Sequence, residues 1–589
     1  MMAMKQLALA ITSLATVTLY HAGSANALLV GPPCQNLSFR FWPSLATHRD
    51  VQRQLPHVAC KTVRFSAVPS DEAESSTATT KTLSTLTSTT EVHVPLSLTL
   101  ATGIVSTLLG FVYSRCMKSG FKLFWKTIPS NILNSSSKNY FFKFIQTYPA
   151  MYIVLMTTCG GAAVSYLSSK LPNLYSAHDY VHILSKDDEM TVNGSDEKDV
   201  FPSATSILPV MGLCLLTSLS GFSLGPEAPM VTVGSLAGAS LARKYHKLQT
   251  SRESKSTMPS KSTLERTLAY AGAAGSLTGF MKIPLAGPIF ALEMTSRNCG
   301  VADSALKSWT TSIISSFVGI SFVRGVMMPS VGIGGHFDYI SRAAVGAVSG
   351  IEMVAIGLGC GIGGAVVGTC FHSAVRNLKQ VIWSKKNAVT KASTTDKYSG
   401  IVKKVAVALV LGALSTQYPQ TMFWGEGSLQ CMIDGQCTPF VATHHGIPAV
   451  MMEWAKVNPN TPLTSWFAAL QVGMAKFFAI ALASAAKYPG GVIFPLLSNG
   501  AGISQSLLQG ISNLVPGLQH SFAAPMVVMS FMAATLTSIT RTPLATCLIL
   551  AMTASSITPL SVLLPGVLLA SYISVFASEK LSSKSFFDY

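Results

Sequence analysis

Residues 273–295 read AAGSLTGFMKIPLAGPIFALEMT, and residues 532–554 read MAATLTSITRTPLATCLILAMTA. Setting Pro284 on Pro543 brings Ala274 onto Ala533, Leu277 onto Leu536, Thr278 onto Thr537, Lys282 onto Arg541, Leu285 onto Leu544 and Ala286 onto Ala545. A second pair lies upstream of each: GPEAPMVTVG at 225–234 and GGVIFPLLSNG at 490–500. Pro229 and Pro495 are each followed, five residues on, by Gly234 and Gly500. The two offsets, 259 and 266 residues, differ by one small loop. Small apolar residues are common at helix contacts in membranes, so some matches arise by chance. A basic residue before Pro-Leu-Ala in both copies argues against chance, and the sequence predicts a duplicated membrane fold.

Composition agrees. Of 589 residues, 49% are hydrophobic and 11% charged, against roughly 25% charged in soluble domains. Mean hydropathy is +0.42. From residue 95 onward apolar runs recur, and runs of about 20 residues are long enough to cross a bilayer as helices. Lipid cannot satisfy exposed backbone groups, so spans are helices or closed barrels. These runs are continuous rather than alternating, which favours helices. Several are short or broken by Gly or Pro, and interrupted helices in matching positions of two halves point to a transporter-type binding site. Polar connectors are expected at 172–201, 245–263, 372–399 and 415–462.

The net charge of +17 raises nucleic acid as a partner, but no nucleic-acid-binding motif accompanies the scattered basic residues. They read as the basic bias of membrane loops or as an electropositive mouth that concentrates anions. Of the cysteines, Cys159, Cys214, Cys360 and Cys547 lie in apolar runs, where a small buried hydrophobe is expected. Cys431 and Cys437 share one loop, and spacing alone does not say whether they pair.

The N-terminus reads as an address. In residues 1–27, Lys5 precedes an apolar core from Leu7 to Leu19, and Ala25-Asn26-Ala27 is a small-x-small cleavage site, the pattern of a signal peptide. Residues 28–65 carry Arg40, Arg49, Arg53, Lys61 and Arg64 against the single acid Asp50, a transit-peptide-like composition. Together they suggest the two-part presequence of a plastid protein; a plain secretory signal followed by a disordered arm is the alternative. Residues 66–94 are Ser/Thr-rich and read as a linker. The membrane domain then occupies 95–589, with a first half of about 95–295 and a second of about 306–589.

Glu227 is the residue most charged with meaning. It stands in SLSGFSLGPEAPMVTVGS, flanked by apolar residues. An ionisable group at membrane depth costs several kcal/mol unless partnered, and is a functional candidate by default. Gly225 and Pro226 precede it and Pro229 opens a helix, since proline is tolerated where the N–H lacks a partner. Free N–H groups and the positive end of the helix dipole favour an anion there, and glycine lets the backbone approach it. A tethered carboxylate beside such a site can act as a built-in competing anion. The plainer alternative is a helix cap.

With these residues in place, the chain resembles the CLC family of chloride channels and anion/proton exchangers. GPEAP is similar to the family's G-(K/R)-E-G-P motif, AAGSLTGFMKIPLAGPIFALEM to the helix pair that follows it, YPGGVIFPLLSNG (488–500) to its G-x-F-x-P segment, and the second Pro-Leu-Ala region to its later helix pair. The resemblance runs in order from about residue 95 to 589. It implies an all-α polytopic membrane protein, a CLC-type inverted repeat of two halves with short, broken, tilted helices. It implies a homodimer in a lipid bilayer, each subunit with its own pathway for chloride or another small anion. Glu227 falls on the gating glutamate, and Gly225, Pro226, Ala228, Val492, Ile493 and Phe494 on the anion-binding segments.

The departures qualify this. Pro226 replaces a basic residue, Ala228 replaces a glycine, and the phenylalanine of the third motif comes one place late, at Phe494. The family's first motif is not recognisable; Ser176, in Asn173-Leu174-Tyr175-Ser176, is the candidate ligand by position. Phe587 stands where a chloride-coordinating tyrosine is usual, so one hydrogen bond worth about 1.5–3 kcal/mol is expected to be lost. In proton-coupled members a second glutamate follows an acidic residue after the Pro-Leu-Ala helix. Here Glu293 matches the first acid and Met294 the proton glutamate, which leans toward passive conduction; a shift of one residue would give Glu293 the proton role.

Other signals are sparse. His444-His445 needs further ligands to hold a metal. No cofactor motif, H-E-x-x-H, P-loop or G-x-S-x-G is present, and no nucleophile–base pattern supports an intramembrane hydrolase. Lys476 lies in an apolar run, where it either snorkels or faces the pore. The expectation is an anion channel rather than an enzyme, with an exchanger and a non-conducting membrane scaffold as rivals.

Overall fold

The computed structural model describes residues 94–133, 139–148, 150–171, 175–185, 199–250, 259–295, 308–327, 348–383, 394–434, 465–513, 523–554, 560–581 and 586. The two targeting segments, the Ser/Thr-rich linker, Cys437, His444, His445 and Phe587 lie outside the described residues.

The described residues form helices and no strand. The first ten helices are α1 (Leu96–Lys122), α2 (Ile128–Leu133), α3 (Tyr140–Thr147), α4 (Ala150–Lys170), α5 (Ala177–Ser185), α6 (Ile207–Leu219), α7 (Glu227–Thr250), α8 (Lys261–Met281), α9 (Ala286–Glu293) and α10 (Trp309–Phe322). The remaining eight are α11 (Gly350–Trp383), α12 (Thr394–Gln417), α13 (Glu426–Asp434), α14 (Trp466–Ala485), α15 (Ile493–Ser512), α16 (Ala523–Thr540), α17 (Pro543–Thr553) and α18 (Leu560–Leu581). Among the described residues eight helices are long and apolar enough to cross a membrane. The chain is an all-α polytopic membrane protein.

Packing repeats between the halves. In the first, α8 lies against α7, α1, α10 and α9, and α1 also packs on α10. In the second, α16 lies against α15, α11, α18 and α17, and α11 also packs on α18. The pair α4–α6 is matched by α12–α14. Two helices also meet their own counterparts, α4 with α12 and α9 with α17. Elements that touch their own counterpart lie on the axis relating the halves. These contacts put α10 with the first half, whereas a division at about 306 assigns it to the second.

The local chemistry repeats as well. The basic residues before the Pro-Leu-Ala triplets both take the left-handed conformation that ends a helix: Lys282 has φ 60° and Arg541 φ 57°. Each donates its N–H back to the preceding turn, Lys282 to Thr278 O and Arg541 to Thr537 O, both at 2.8 Å. Upstream, Gly221 (φ 89°) and Lys487 (φ 59°) close α6 and α14 in the same way, 266 residues apart. Pro229 and Pro495 each sit in the first turn of α7 and α15, where a missing N–H costs little. The sharp turns let each half lead a broken helix into the protein interior.

Close crossings hold this bundle without an aqueous driving force. A Cβ on Gly234 of α7 would strike Gly272 O of α8, and one on Gly272 would strike Gly234 O. Backbone thus meets backbone, the small-residue mode of membrane packing. The connectors are more helical than their composition suggests: α5 and α13 lie inside them, α7 continues to Thr250 and α11 to Trp383.

Candidate functional site

The site forms where the two broken segments meet. Gly225 and Gly491, equivalent residues of the two halves, form an isolated antiparallel bridge. Gly225 N donates to Gly491 O at 2.7 Å, and Gly491 N donates to Gly225 O. Two equivalent residues bonded reciprocally are what a local two-fold axis produces, so the axis relating the halves runs through this bridge. Phe222 and Tyr488, also equivalent, pack beside it with ring centroids 4.3 Å apart and planes tilted by 43°. Tyr488 is held by its hydroxyl, which donates to Lys404 O at 2.8 Å.

The bridge brings the starts of α7 and α15 together. Glu227, the first residue of α7, is fully buried. Its Oε1 accepts from Phe494 N at 3.3 Å, at the start of α15. Val492, Ile493 and Phe494 are all buried. Gly225, Pro226, Glu227 and Ala228 are thereby brought against Gly491, Val492, Ile493 and Phe494. First-turn N–H groups have no carbonyl partner within their helix, and the positive dipole ends converge here. The carboxylate of Glu227 lies on Phe494 N–H, a helix-start donor of the kind that favours negative charge. A Cβ at either Gly225 or Gly491 would collide with that carboxylate, so both glycines are required for it to lie where it does.

Other predicted residues are placed differently. Ser176 is exposed and caps α5: its N and Oγ both contact Asp179 Oδ2, at 2.8 and 2.7 Å. Its hydroxyl is thus committed to Asp179. Glu293 ends α9 and its carboxylate caps α17, accepting from Leu544 N at 3.1 Å and Ala545 N at 2.9 Å. This is a second buried carboxylate on a helix start, at the second place where counterpart helices meet. Met294 is buried beside it. Lys476 neither snorkels nor reaches water. It is fully buried, and its Nζ donates to Thr421 O and Phe423 O at 3.0 Å and to Met422 O at 3.4 Å.

Sequence reading passed over a hydroxyl in the loop. Ser223, two residues before Gly225, is buried, and its Oγ has no hydrogen-bond partner among the described residues. A buried hydroxyl left without a partner is costly, and Ser223 lies in the loop that carries Glu227. The available signal was a serine inside an otherwise apolar Gly-rich break.

Comparison with known proteins agrees with this geometry. A ClcB-like chloride channel protein of Ralstonia nicotianae is 24% identical over 375 residues, spanning 62% of this chain and 69% of that protein. Among solved structures, a slow cyanobacterial Cl−/H+ antiporter superposes with a TM-score of 0.58 at 15% identity, covering 84% of this chain and 97% of the other. A eukaryotic CLC transporter gives 0.54 at 16% identity, covering 84% and 72%. A CLC-type fluoride/proton antiporter gives 0.51 at 16% identity, covering 83% and 95%. The profile described as "Voltage gated chloride channel" matches residues 160–575, a stretch that begins in α4, takes in both broken segments and ends in α18. A bundle of two matched halves, with their broken helices joined start to start, thus belongs to the CLC family of voltage-gated chloride channels.

Proposed function

We propose that the chain is a passive channel for chloride or a similar small anion, gated by Glu227. One observation carries this reading: the Glu227 carboxylate lies on Phe494 N–H, in the position a permeating anion would occupy. Ionised, it competes with the anion; protonated or swung away, it leaves the site to chloride. Gly225, Pro226, Ala228, Val492, Ile493 and Phe494 line that site through their backbone. Ser176 would join only after releasing Asp179, and Phe587 supplies no hydroxyl. The chain works as a homodimer in a plastid membrane, read from family resemblance and from the presequence.

A proton-coupled exchanger is the second reading, favoured by the antiporters that share the fold. In that case Glu293 carries the inner proton. Its carboxylate already has two N–H partners on α17, which suits a fixed cap better than a proton shuttle, and Met294 cannot titrate. Reconstituted vesicles decide the matter. A channel dissipates a chloride gradient without moving protons uphill, an exchanger drives them, and a non-conducting scaffold gives no anion flux at all.

A further inference from the structure

A turn between α12 and α13, residues 421–425, touches both broken segments of the site. On one side it meets the loop of the first half. Phe423 N donates to Gly221 O at 3.4 Å, and a Cβ on Gly221 would lie 3.1 Å from Met422 Cε. Gly221, two residues past α6 and at φ 89°, opens the loop that leads to Gly225 and Glu227. On the other side the turn meets the start of α15. A Cβ on Gly425 would lie 2.8 Å from Ser498 Cβ and 3.4 Å from Phe494 O. Phe494 is the residue whose N–H holds the Glu227 carboxylate. The turn is therefore a wedge between the two segments, and its shape sets how closely the loop approaches that N–H.

The wedge does not keep this shape unaided. Phe423 stands at φ 57° and Gly425 at φ 92°. A large residue in the left-handed region persists only where its surroundings hold it there. Lys476, from the middle of α14, does the holding. It is fully buried, and its Nζ donates to Thr421 O and Phe423 O at 3.0 Å and to Met422 O at 3.4 Å. Phe423 thus joins Lys476 to the loop: its carbonyl accepts from the ammonium, and its N–H donates to Gly221. The path from Lys476 to the site runs through two backbone groups of one strained residue on the first-half side, and through Gly425 on the α15 side.

We propose that Lys476 is a positioning residue of the anion site, which rests on the reading of the α15 start as an anion donor. By gathering the carbonyls of 421–423 it fixes the turn that spaces the end of α6 from the start of α15, and so sets the affinity for the anion without touching it.

The test uses the full chain in vesicles, with chloride flux measured against chloride concentration. The Glu227→Ala background is chosen because no tethered carboxylate then competes. Adding Lys476→Met should raise the half-saturating chloride concentration roughly tenfold, the low end of the cost of removing a group that orients a ligand shell. Arg243→Met, which loosens the far end of α7, serves as the destabilised control and should leave half-saturation where it was. A role in stability alone would lower the unfolding midpoint in both variants and move half-saturation in neither, and that result overturns the proposal. Should Lys476→Met not fold, Lys476→Gln, with two amide donors for three carbonyls, takes its place with the same two outcomes. The two readings fail separately. Chloride flux with unchanged half-saturation in the Lys476 variant removes the positioning role alone, whereas no flux from any variant, wild type included, removes the anion reading and the positioning role together.

Discussion

The carboxylate of Glu227 accepts a hydrogen bond of 3.3 Å from the backbone N–H of Phe494, so an acid of the first half rests on a helix start of the second. Backbone N–H groups at such a start bind anions, and here a tethered one is bound. Removing it should free the position. In Glu227→Ala, anion flux into vesicles is expected to persist and to lose its dependence on pH. A hydrogen bond to a charged group is worth about 1.5–3 kcal/mol, so apparent anion affinity should rise by roughly 10- to 100-fold. Glu227→Gln, which copies the protonated form, should be as insensitive to pH as Glu227→Ala. Unchanged pH-dependent gating in both variants would remove Glu227 from the role.

The two bridging glycines should respond differently to the same methyl group. At Gly225 the three atoms nearest an added Cβ all belong to the side chain of Glu227, its Oε2, Oε1 and Cδ. A carboxylate at the end of a flexible chain can move aside. Gly225→Ala is therefore expected to fold and to behave like Glu227→Ala, with the acid pushed off Phe494 N–H. At Gly491 the Cβ also meets backbone, Ala228 N at 2.8 Å and Glu227 N at 3.2 Å. Backbone at the start of α7 cannot yield without breaking the bridge. Gly491→Ala should lower the thermal midpoint, with overpacking costing about 1–3 kcal/mol. The comparison is read from unfolding midpoints and flux on the same preparations; equal midpoints for the two variants would contradict it.

What could be read in the sequence was local. The prolines of the two first turns, the basic residues before Pro-Leu-Ala and the lone acid in an apolar run each declare themselves within a few residues. The left-handed turns at Lys282 and Arg541 are why a basic residue at both places marked a real repeat. What could not be read depends on contacts between distant segments. Gly225 and Gly491 lie 266 residues apart, and only the folded chain bonds them. Glu293 reads as an acid beside a proton position; its partners are two N–H groups of α17. The ends of α7 and α11 read as connectors because a helix leaving the apolar layer becomes polar without ceasing to be a helix. Helix α13 is short and lies in a polar stretch, so composition hides it.

A different part of the first half depends on charge. Arg243 on α7 clamps the segment before α6: its guanidinium donates to Phe201 O at 2.6 Å and Pro202 O at 2.7 Å. It also pairs with Glu265, which is fully buried, at 3.8 Å, and with Asp199 at 3.6 Å. Arg243→Met removes the cation from Glu265, which keeps the N–H of Val200 at 3.1 Å, and should cost up to about 3 kcal/mol, the low end for breaking a buried pair. The outer pair, Lys261 to Asp199 at 2.8 Å, is half-exposed through Asp199 and should be worth about 1 kcal/mol or less. The hydrogen bond from Lys261 holds the Asp199 carboxyl below its ordinary value of 3.8. A lowered folded pKa means the pair stabilises at pH above that ordinary value, and that its contribution is lost as pH falls through the lower, folded value. The gap in melting midpoint between wild type and Lys261→Met should therefore be present at pH 7 and close under acid conditions. A gap that widens on acidification would reverse the assigned sign.

Lys476 poses the last question, because a buried cation with no carboxylate beside it among the described residues is costly unless its protons are all engaged. Here they are engaged by three successive carbonyls, Thr421, Met422 and Phe423. Those carbonyls belong to a sharp turn in which Phe423 has φ 57° and Gly425 φ 92°. A turn of this shape aims consecutive carbonyls to one side, where no helix N–H can reach them. The ammonium supplies what the backbone lacks, and Phe423 in turn packs its ring on Trp125 and Phe121, at 5.1 and 4.8 Å. Lys476→Met keeps the apolar stem and removes only the donors. Each carbonyl left without a partner costs about 1–3 kcal/mol, so the variant should unfold at clearly lower temperature than wild type. Intrinsic fluorescence of Trp125, whose indole donates to Leu219 O at 2.7 Å, provides a local reporter, isolated by comparison with a Trp125→Phe background. Loosening of the turn should shift that emission before global unfolding. A Lys476→Met protein with unchanged midpoint and unchanged emission would mean that the turn holds without its cation.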